Sequence, residues 1–83
     1  MRVVLTPGAA RQLDRLPLVI KVRTSNLFRR LDRWPAISGA KPLSGNYTGW
    51  FRMRIGDYRL RFHIEGDVVL VDKIGHRDGF YDD

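Results

Sequence analysis

Apolar and polar residues follow three successive patterns along the chain. Residues 2–5 contain a short apolar run, which predicts a strand. From position 6 to position 34 the apolar residues recur every three or four positions, as on one side of a helix. From position 47 to position 74 apolar and polar residues mostly alternate, which is typical of strands. The patterns predict an α+β fold in the order strand, two helices and three strands.

Local signals set the ends of the two helices. Thr6 and Pro7 predict the start of the first helix, because threonine is a common N-cap and proline suits the first helical position. We expect this helix to run to about Leu16. Pro17 separates it from the second helix, whose approximate end is set by Pro35. The helices should form an αα-hairpin packed on one face of a small antiparallel sheet.

The sheet is centred on two strands joined by Gly56-Asp57. If this pair is a two-residue turn, Arg54 stands opposite Arg59, and Arg52 stands opposite Arg61. Alternation then directs the apolar side chains of both strands toward the helices. The other face, called the arginine face below, carries Trp50, Arg52, Arg54, Arg59, Arg61 and His63.

The arginine face is an unusual choice for stability alone. Like charges directly opposite each other destabilise a sheet, by an amount comparable to the roughly 0.2–1 kcal/mol of a favourable cross-strand pair. Guanidinium groups match phosphate oxygens in bidentate geometry, so a nucleic-acid backbone would turn this repulsion into binding. The alternative is a solvated sheet face that the chain's own carboxylates neutralise. The candidate carboxylates are Glu65, Asp72, Asp82 and Asp83.

A second turn, at Gly66-Asp67, leads into the last predicted strand, over residues 68–74. If this turn also has two residues, Ile64 pairs with Val69. Residues 38–46 are rich in turn formers and are predicted to be a loop.

The same register places Asp72 opposite Arg61, with His76 extending along the arginine face. A one-residue slip would exchange Asp72 for Lys73, and the sequence leaves both registers open. Residues 75–83 form a short charged tail.

Composition restricts the classes of function. Eighty-three residues suffice for one small domain, which we expect to cover residues 1–83. Cysteine is absent and the two histidines lack metal-site spacing, so we expect no metal and no cofactor. No apolar run approaches the roughly 20 residues that span a bilayer, and no signal sequence is evident, so a cytoplasmic location is expected. The net charge of +6, with twelve arginines among fifteen basic residues, favours an anionic partner, most often nucleic acid.

Three stretches resemble motifs of the RelE/ParE superfamily of bacterial toxins, the toxic halves of type II toxin-antitoxin pairs. Residues 41–45, Lys-Pro-Leu-Ser-Gly, resemble the family's entry to the sheet. Residues 54–60, Arg-Ile-Gly-Asp-Tyr-Arg-Leu, resemble its central motif, and residues 74–77, Ile-Gly-His-Arg, lead to Tyr81 as in its C-terminal ending. The likeness covers nearly the full length and implies a RelE-like fold, β-α-α-β-β-β.

The resemblance also implies an activity. RelE-like members cleave messenger RNA, usually in the ribosomal A site, by attack of a 2′-hydroxyl on the adjacent phosphate. This needs a base for the 2′ proton, cations for the charged phosphorane and an acid for the departing 5′-oxygen. The resemblance places Arg59 and Arg77 on phosphate-stabilising positions and Tyr81 on a tyrosine that orients a base or assists proton transfer. Arg52 and Arg54 stand where some members carry lysine, and arginine cannot act as a general base because it stays protonated.

His76 is the candidate general base or acid, since histidine titrates near neutral pH. Further RNA-binding candidates are Lys41, Trp50, Arg61 and Lys73. Structural roles compete with these assignments. Tyr81 could pack under the sheet edge, His76 could shape a strand end, and Trp50 could cover the core. His63 is expected to be a cross-strand neighbour of Trp50 rather than a catalyst.

Three functions therefore remain in competition. The first is a ribosome-dependent endoribonuclease whose partners are messenger RNA, the ribosome and a cognate antitoxin. The second is a ParE-like inhibitor of DNA gyrase without nuclease activity. The third is a basic nucleic-acid-binding module without toxicity. The presence of His76, Arg77 and Tyr81, as in the C-terminal ending of RelE-like members, favours the nuclease.

Overall fold

The structure is a computed structural model that describes residues 1–80. Its elements are β1 (Arg2–Leu5), α1 (Pro7–Asp14), α2 (Leu18–Leu31), β2 (Lys41–Pro42), β3 (Trp50–Ile55), β4 (Tyr58–Glu65) and β5 (Val68–His76), with a 3-10 turn at Gly45–Tyr47. The predicted α+β fold, with one strand, two helices and then the antiparallel hairpin strands, is confirmed. The short strand β2 is additional, because it lies within the segment predicted to be a loop.

One five-stranded sheet contains every strand, in the order β1-β5-β4-β3-β2. The neighbouring pairs from β2 to β5 are antiparallel, whereas β1 runs parallel to β5. The sheet is therefore mixed rather than wholly antiparallel. β1 reaches only as far as Val71 of β5, so the last part of β5 extends beyond it. There, Gln12 of α1 accepts a hydrogen bond from the backbone N–H of Ile74 through its side-chain oxygen, at 2.8 Å.

The register of the central hairpin is confirmed along its whole length. Ile55 pairs with Tyr58, and the pairing continues in steps of one residue to Trp50 and His63. Gly56 has φ +60°, which suits the first position of a type II′ turn and which other residues rarely adopt. The two-residue turn therefore places the four predicted arginines on a common face.

The register between β4 and β5 changes partway along the strands. Ile64 pairs with Val69 as predicted, but the pairing shifts between Arg61 and Phe62. Val71 stands opposite Phe62 and Lys73 stands opposite Arg61, so Asp72 is the extra residue of a β-bulge.

Thr6 holds this bulge from outside the hairpin. Its backbone N–H donates to Val71 O at 3.0 Å, and its hydroxyl donates to Asp72 O at 3.3 Å. Beyond the bulge the one-residue slip, left open by the sequence, applies. The predicted placement of His76 was wrong, because His76 pairs with Tyr58 and lies on the helix-covered face, not on the arginine face.

The core lies between the helices and one face of the sheet. Its buried apolar side chains are Ala9, Leu16, Leu27, Leu31, Met53, Ile55, Leu60, Phe62, Val69, Val71 and Ile74. Trp34 follows α2 and packs edge-on against Phe51 and Phe62, with ring centroids 4.7 and 5.3 Å away. The predicted N-cap is confirmed, because Thr6 Oγ1 accepts a hydrogen bond from Ala9 N at 3.1 Å. Neither helix is long and apolar enough to cross a membrane within residues 1–80.

Candidate nucleic-acid interface

Two strands place four arginines on the sheet face opposite the helices. Arg52 pairs with Arg61, and Arg54 pairs with Arg59, as the turn predicted. β5 extends this face with Lys73, which stands opposite Arg61. β2 adds Lys41, which is exposed and stands opposite Arg52. A row of cations therefore crosses four neighbouring strands.

At one end of the arginine face, Arg61 forms an ion pair within the protein. Its Nε donates to Asp72 Oδ1 at 2.9 Å and its Nη2 donates to Asp72 Oδ2 at 2.8 Å. Arg61 is only 7% exposed. These hydrogen bonds raise the pKa of Arg61 above its usual range and outweigh the opposing effect of burial. Because its pKa is raised, the guanidinium is charged throughout the neutral range. The stability that this raised pKa contributes is complete below the pKa of an ordinary arginine and is lost only as the pH rises through the raised pKa.

Aromatic rings surround this ion pair. Arg61 Cζ lies 4.4 Å from the ring centroid of Tyr47 and 5.4 Å from that of Trp50. The ring of His63 lies 4.1 Å from the ring of Trp50. We call the group Tyr47, Trp50, Arg61, His63 and Asp72 the clamped end.

The clamped end revises one sequence-based expectation and confirms another. Neutralisation of an arginine by Asp72, raised as the structural alternative, applies to Arg61. Two of its three guanidinium nitrogens, Nε and Nη2, donate to that carboxylate and the residue is buried, so we do not retain Arg61 as a phosphate ligand. His63 contacts Trp50 across the strands as predicted.

The opposite end of the arginine face gathers guanidinium groups beside the Gly56-Asp57 turn. Arg59 Nη1 donates to Gly56 O and to Tyr58 O, both at 3.1 Å. The backbone N–H of Arg77 donates to Asp57 O at 2.7 Å, which fixes the start of the C-terminal segment against the same turn.

The arginines at this turn differ in their ion pairs. Arg77 Nη1 lies 3.8 Å from Asp57 Oδ1, and its side chain is 58% exposed. Arg54 is exposed, and the ion pairs formed within residues 1–80 include neither Arg54 nor Arg59. We call Arg54, Arg59 and Arg77 the open end.

His76 lies next to the open end but on the other face of the sheet. Its ring centroid is 5.2 Å from that of Tyr58, in an edge-on arrangement. Its Nδ1 accepts a hydrogen bond from Asp78 N at 3.1 Å, so Nε2 is the protonated nitrogen of the neutral ring. In this geometry the accessible nitrogen of the neutral ring is a hydrogen-bond donor rather than a base.

Residues 77–80 fold back over the arginine face, a feature that the sequence did not predict. Phe80 is 2% exposed, although it is not part of the core between helices and sheet. A Cβ built on Gly75 would lie 3.6 Å from the Phe80 ring, and Gly75 stands opposite Arg59.

Lys73 holds the same segment, because its Nζ donates to Phe80 O and lies 4.8 Å from the Phe80 ring centroid. The only available signal in the sequence was a large apolar residue within a tail of charged residues and glycine. Tyr81, a predicted catalytic residue, lies outside the described residues.

Lys41 and Arg52 continue the basic surface around the edge of the sheet. A groove beside β3 is lined by Arg30, Ser38, Gly39, Lys41, Arg52, Met53 and Arg54. The structure thus brings Arg52, Arg54 and Lys41 together, with Arg59 and Arg77 at the neighbouring turn. It separates His76 from them by the thickness of the sheet.

Comparisons with known proteins agree on one family. The model of the family described as ParE toxin of type II toxin-antitoxin system, parDE, matches residues 3–79. Toxin RelE3 of Methanocaldococcus jannaschii is 23% identical over an alignment of 86 residues, gaps included, which covers 99% of this chain and 97% of that protein.

Solved structures of toxin-antitoxin complexes are similar in fold. A chain of the RelBE2 complex from Mycobacterium tuberculosis is 32% identical, with 92% of this chain and 96% of that chain covered and a TM-score of 0.79. A chain of the RelB-RelE complex from Methanococcus jannaschii is 21% identical, with 95% of each chain covered and a TM-score of 0.81.

Proposed function

This chain belongs to the RelE/ParE family of type II toxin-antitoxin toxins, and on that premise we propose that it is an endoribonuclease that cleaves messenger RNA on the ribosome. The open end is the observation that carries the proposal. The guanidinium groups of Arg59 and Arg77 lie beside one turn, and Arg54 stands opposite Arg59. The ion pairs within residues 1–80 include neither Arg54 nor Arg59. A phosphate group placed among them would supply the missing negative charge.

In the proposed reaction, the 2′-hydroxyl attacks the adjacent phosphorus atom. The bond between the 2′-oxygen and phosphorus forms, the bond from phosphorus to the 5′-oxygen breaks, and a 2′,3′-cyclic phosphate remains. The 2′ proton passes to a base, and the departing 5′-oxygen takes up a proton. Arg59 and Arg77 stabilise the negative charge of the phosphorane, while Arg52, Arg54 and Lys41 hold the neighbouring backbone.

Proton transfer is the step in which arginine cannot take part. We assign it to His76, which is 41% exposed and directly precedes Arg77. Since Nε2 of the neutral ring carries the proton, we assign His76 to donation to the 5′-oxygen. Because His76 lies on the other face of the sheet from Arg59, this role places the reacting phosphate at the end of β5, where His76 and Arg77 are adjacent. We assign Tyr81 to base orientation or proton transfer, as the family resemblance implies, and Lys73 to the edge of the RNA surface.

The test is primer extension on ribosome-bound message with purified protein. Arg59→Ala and Arg77→Ala should each lower the cleavage rate by about 100-fold, as expected for loss of a group that stabilises transition-state charge. Arg59→Lys, which keeps the charge without the fork, should lose less. Arg33→Ala is the matched control, because Arg33 is an exposed arginine that follows α2. Undiminished cutting by both open-end alanine variants would contradict the proposal.

A second candidate is inhibition of DNA gyrase, because the family model that matches residues 3–79 describes ParE toxins. The same preparation should be added to a gyrase supercoiling assay. If the wild type and His76→Ala inhibit supercoiling equally and neither protein cleaves RNA, this candidate replaces the nuclease. Cleavage without inhibition would exclude it.

We also propose that an antitoxin neutralises this protein. The similar RelBE2 and RelB-RelE chains were crystallised in toxin-antitoxin complexes. A net charge of +6 favours an acidic partner, whose carboxylates would form ion pairs with the arginines of the open end. Expression of this chain should arrest growth, and co-expression of a small acidic protein from the adjacent gene should restore it. A chain that causes no arrest would instead support the non-toxic nucleic-acid-binding module.

A further inference from the structure

The clamped end contains an aromatic cluster that core packing does not explain. Tyr47 and Trp50 are not among the side chains that form or cover the core. Tyr47 is 36% exposed and is the one aromatic residue among the five large apolar residues that are exposed within residues 1–80. Large aromatic side chains outside a core contribute little to stability unless another surface covers them. The cluster is therefore a candidate surface for contact with another molecule.

Arg61 and Asp72 organise this surface. The guanidinium of Arg61 lies near both aromatic rings, 4.4 Å from the Tyr47 centroid and 5.4 Å from the Trp50 centroid. Asp72 fixes the guanidinium through two hydrogen bonds. The rings of Tyr47 and Trp50 are perpendicular, with centroids 6.3 Å apart. A ring held in this way loses little conformational entropy when a ligand stacks on it.

The cluster lies where a single strand of RNA that crosses the arginine face would pass. Trp50 and Arg54 are four residues apart on β3, which corresponds to about 13 Å at roughly 3.3 Å per residue. Arg52 lies between them on the same face, and the three residues pair in turn with His63, Arg61 and Arg59. An RNA backbone bound at the open end and at Arg52 would carry its next bases toward the aromatic rings. Single-stranded RNA is commonly bound by such a combination of basic track and aromatic side chains.

We infer that Tyr47, supported by the Arg61–Asp72 ion pair and by Trp50, is a stacking site for a nucleobase of single-stranded RNA. The inference rests on the proposed function, in that it gives the arginine face an RNA ligand, and it adds a base-binding position remote from the open end. Tyr47 lies outside the three motifs that carry the family resemblance. Arg61, set aside above as a phosphate ligand, acts here as a positioning residue for the ring.

Binding to an RNA that cannot be cleaved separates this inference from the nuclease proposal. The probe is a fluorescently labelled single-stranded RNA of about ten nucleotides with 2′-O-methyl riboses, and its Kd is measured by fluorescence anisotropy. Tyr47→Ala should weaken binding by about tenfold, the usual effect of removing a stacking ring. Tyr47→Phe should bind within about twofold of the wild type, because the ring remains. Tyr47→Leu, which keeps apolar bulk without a π face, should weaken binding as Tyr47→Ala does.

Leu18→Ala is the control, because Leu18 is 75% exposed on α2, away from the arginine face. Wild-type affinity in Tyr47→Ala would overturn the inference. Equal losses in Tyr47→Phe and Tyr47→Ala would also overturn it, since they would assign the effect to the hydroxyl. So would a Tyr47→Ala variant that binds RNA normally but binds the antitoxin less tightly, because the cluster would then contact protein. A wild type that binds this RNA without cleaving message would contradict the nuclease and leave the stacking site supported.

Discussion

The two ends of the arginine face use the same residue type in different ways. At the clamped end Arg61 is 7% exposed, and its Nε and Nη2 donate hydrogen bonds to the two carboxylate oxygens of Asp72. At the open end Arg54 is exposed, and Arg59 binds only backbone carbonyl groups within residues 1–80. Yet Arg61 and Arg59 are only two positions apart on β4 and point to the same face.

A carboxylate accounts for the difference. The bulge in β5 inserts Asp72 beside Arg61, whereas the residue opposite Arg59 is Gly75, which has no side chain. Paired arginines in a hairpin therefore do not by themselves indicate a ligand-binding face. At the open end the third strand supplies no countercharge to Arg59, and this is the difference on which the proposed phosphate site depends.

The open end has a buried anchor of its own, in Phe80. Phe80→Ala should lower the free energy of unfolding by about 3–4 kcal/mol, because it removes a large side chain that is 2% exposed. Urea denaturation measures this change. Since Phe80 lies between Arg77 and Tyr81 in the chain, RNA cleavage should fall as well, even under conditions in which the variant remains folded.

Phe80→Leu is the conservative companion variant. It retains an apolar side chain over Gly75 and should recover most of the stability. If Phe80→Ala changed the unfolding free energy by less than about 1 kcal/mol, the C-terminal segment would not be held on the arginine face in solution. The open end would then consist of the hairpin arginines alone.

The ion pair at the clamped end should matter to stability far more than any charge at the open end. Asp72→Ala leaves the buried guanidinium of Arg61 without its countercharge, which should cost about 3 kcal/mol. The expected value is at the low end for buried pairs, since the Asp72 side chain is 21% exposed. Urea denaturation at neutral pH is again the measurement.

The double variant Arg61→Leu/Asp72→Leu tests whether the stability lost in Asp72→Ala is due to the unpaired charge of Arg61 or to a change in the backbone bulge. It replaces both charges by apolar side chains, so it should regain most of the stability that Asp72→Ala loses. A double variant as unstable as Asp72→Ala would mean that the bulge itself, rather than the unpaired charge, dominates. In that case the backbone of the bulge, rather than the ion pair, would be the main source of stability at the clamped end.

Short-range rules predicted the hairpin part of the open end, Arg54 and Arg59, correctly. The register that pairs Arg54 with Arg59 follows from one two-residue turn, and glycine at its first position is a local signal. The helix start at Thr6 was equally local. In both places the residues that determine the structure lie within a few positions of each other.

The clamped end required information from distant parts of the chain. The bulge at Asp72 is bound by Thr6, which lies 66 residues earlier, and no alternation pattern reveals such a contact. The shift it causes moved His76 to the helix-covered face, so the position of one predicted catalytic residue was wrong. The burial of Phe80 was missed for the same reason, since its partners Lys73 and Gly75 belong to a strand face and not to the tail's own pattern.

Removing one charge from the open end should slightly stabilise the protein, and this is the smallest of the expected changes. Arg54→Gln keeps a long polar side chain but ends the repulsion with Arg59, so the free energy of unfolding should rise by about 0.5 kcal/mol. Arg2→Gln is the matched control, because Arg2 is an exposed arginine on β1 whose strand partner is Val68. It should change stability less than Arg54→Gln does.

Salt gives an independent measure of the same repulsion. Added salt screens exposed like charges, so it should stabilise the wild type more than Arg54→Gln. If Arg54→Gln were instead less stable than the wild type at every salt concentration, Arg54 would have an attractive partner, and the open end would resemble the clamped end. A gain in stability accompanied by weaker RNA binding would show that the free protein tolerates this repulsion and that the RNA relieves it.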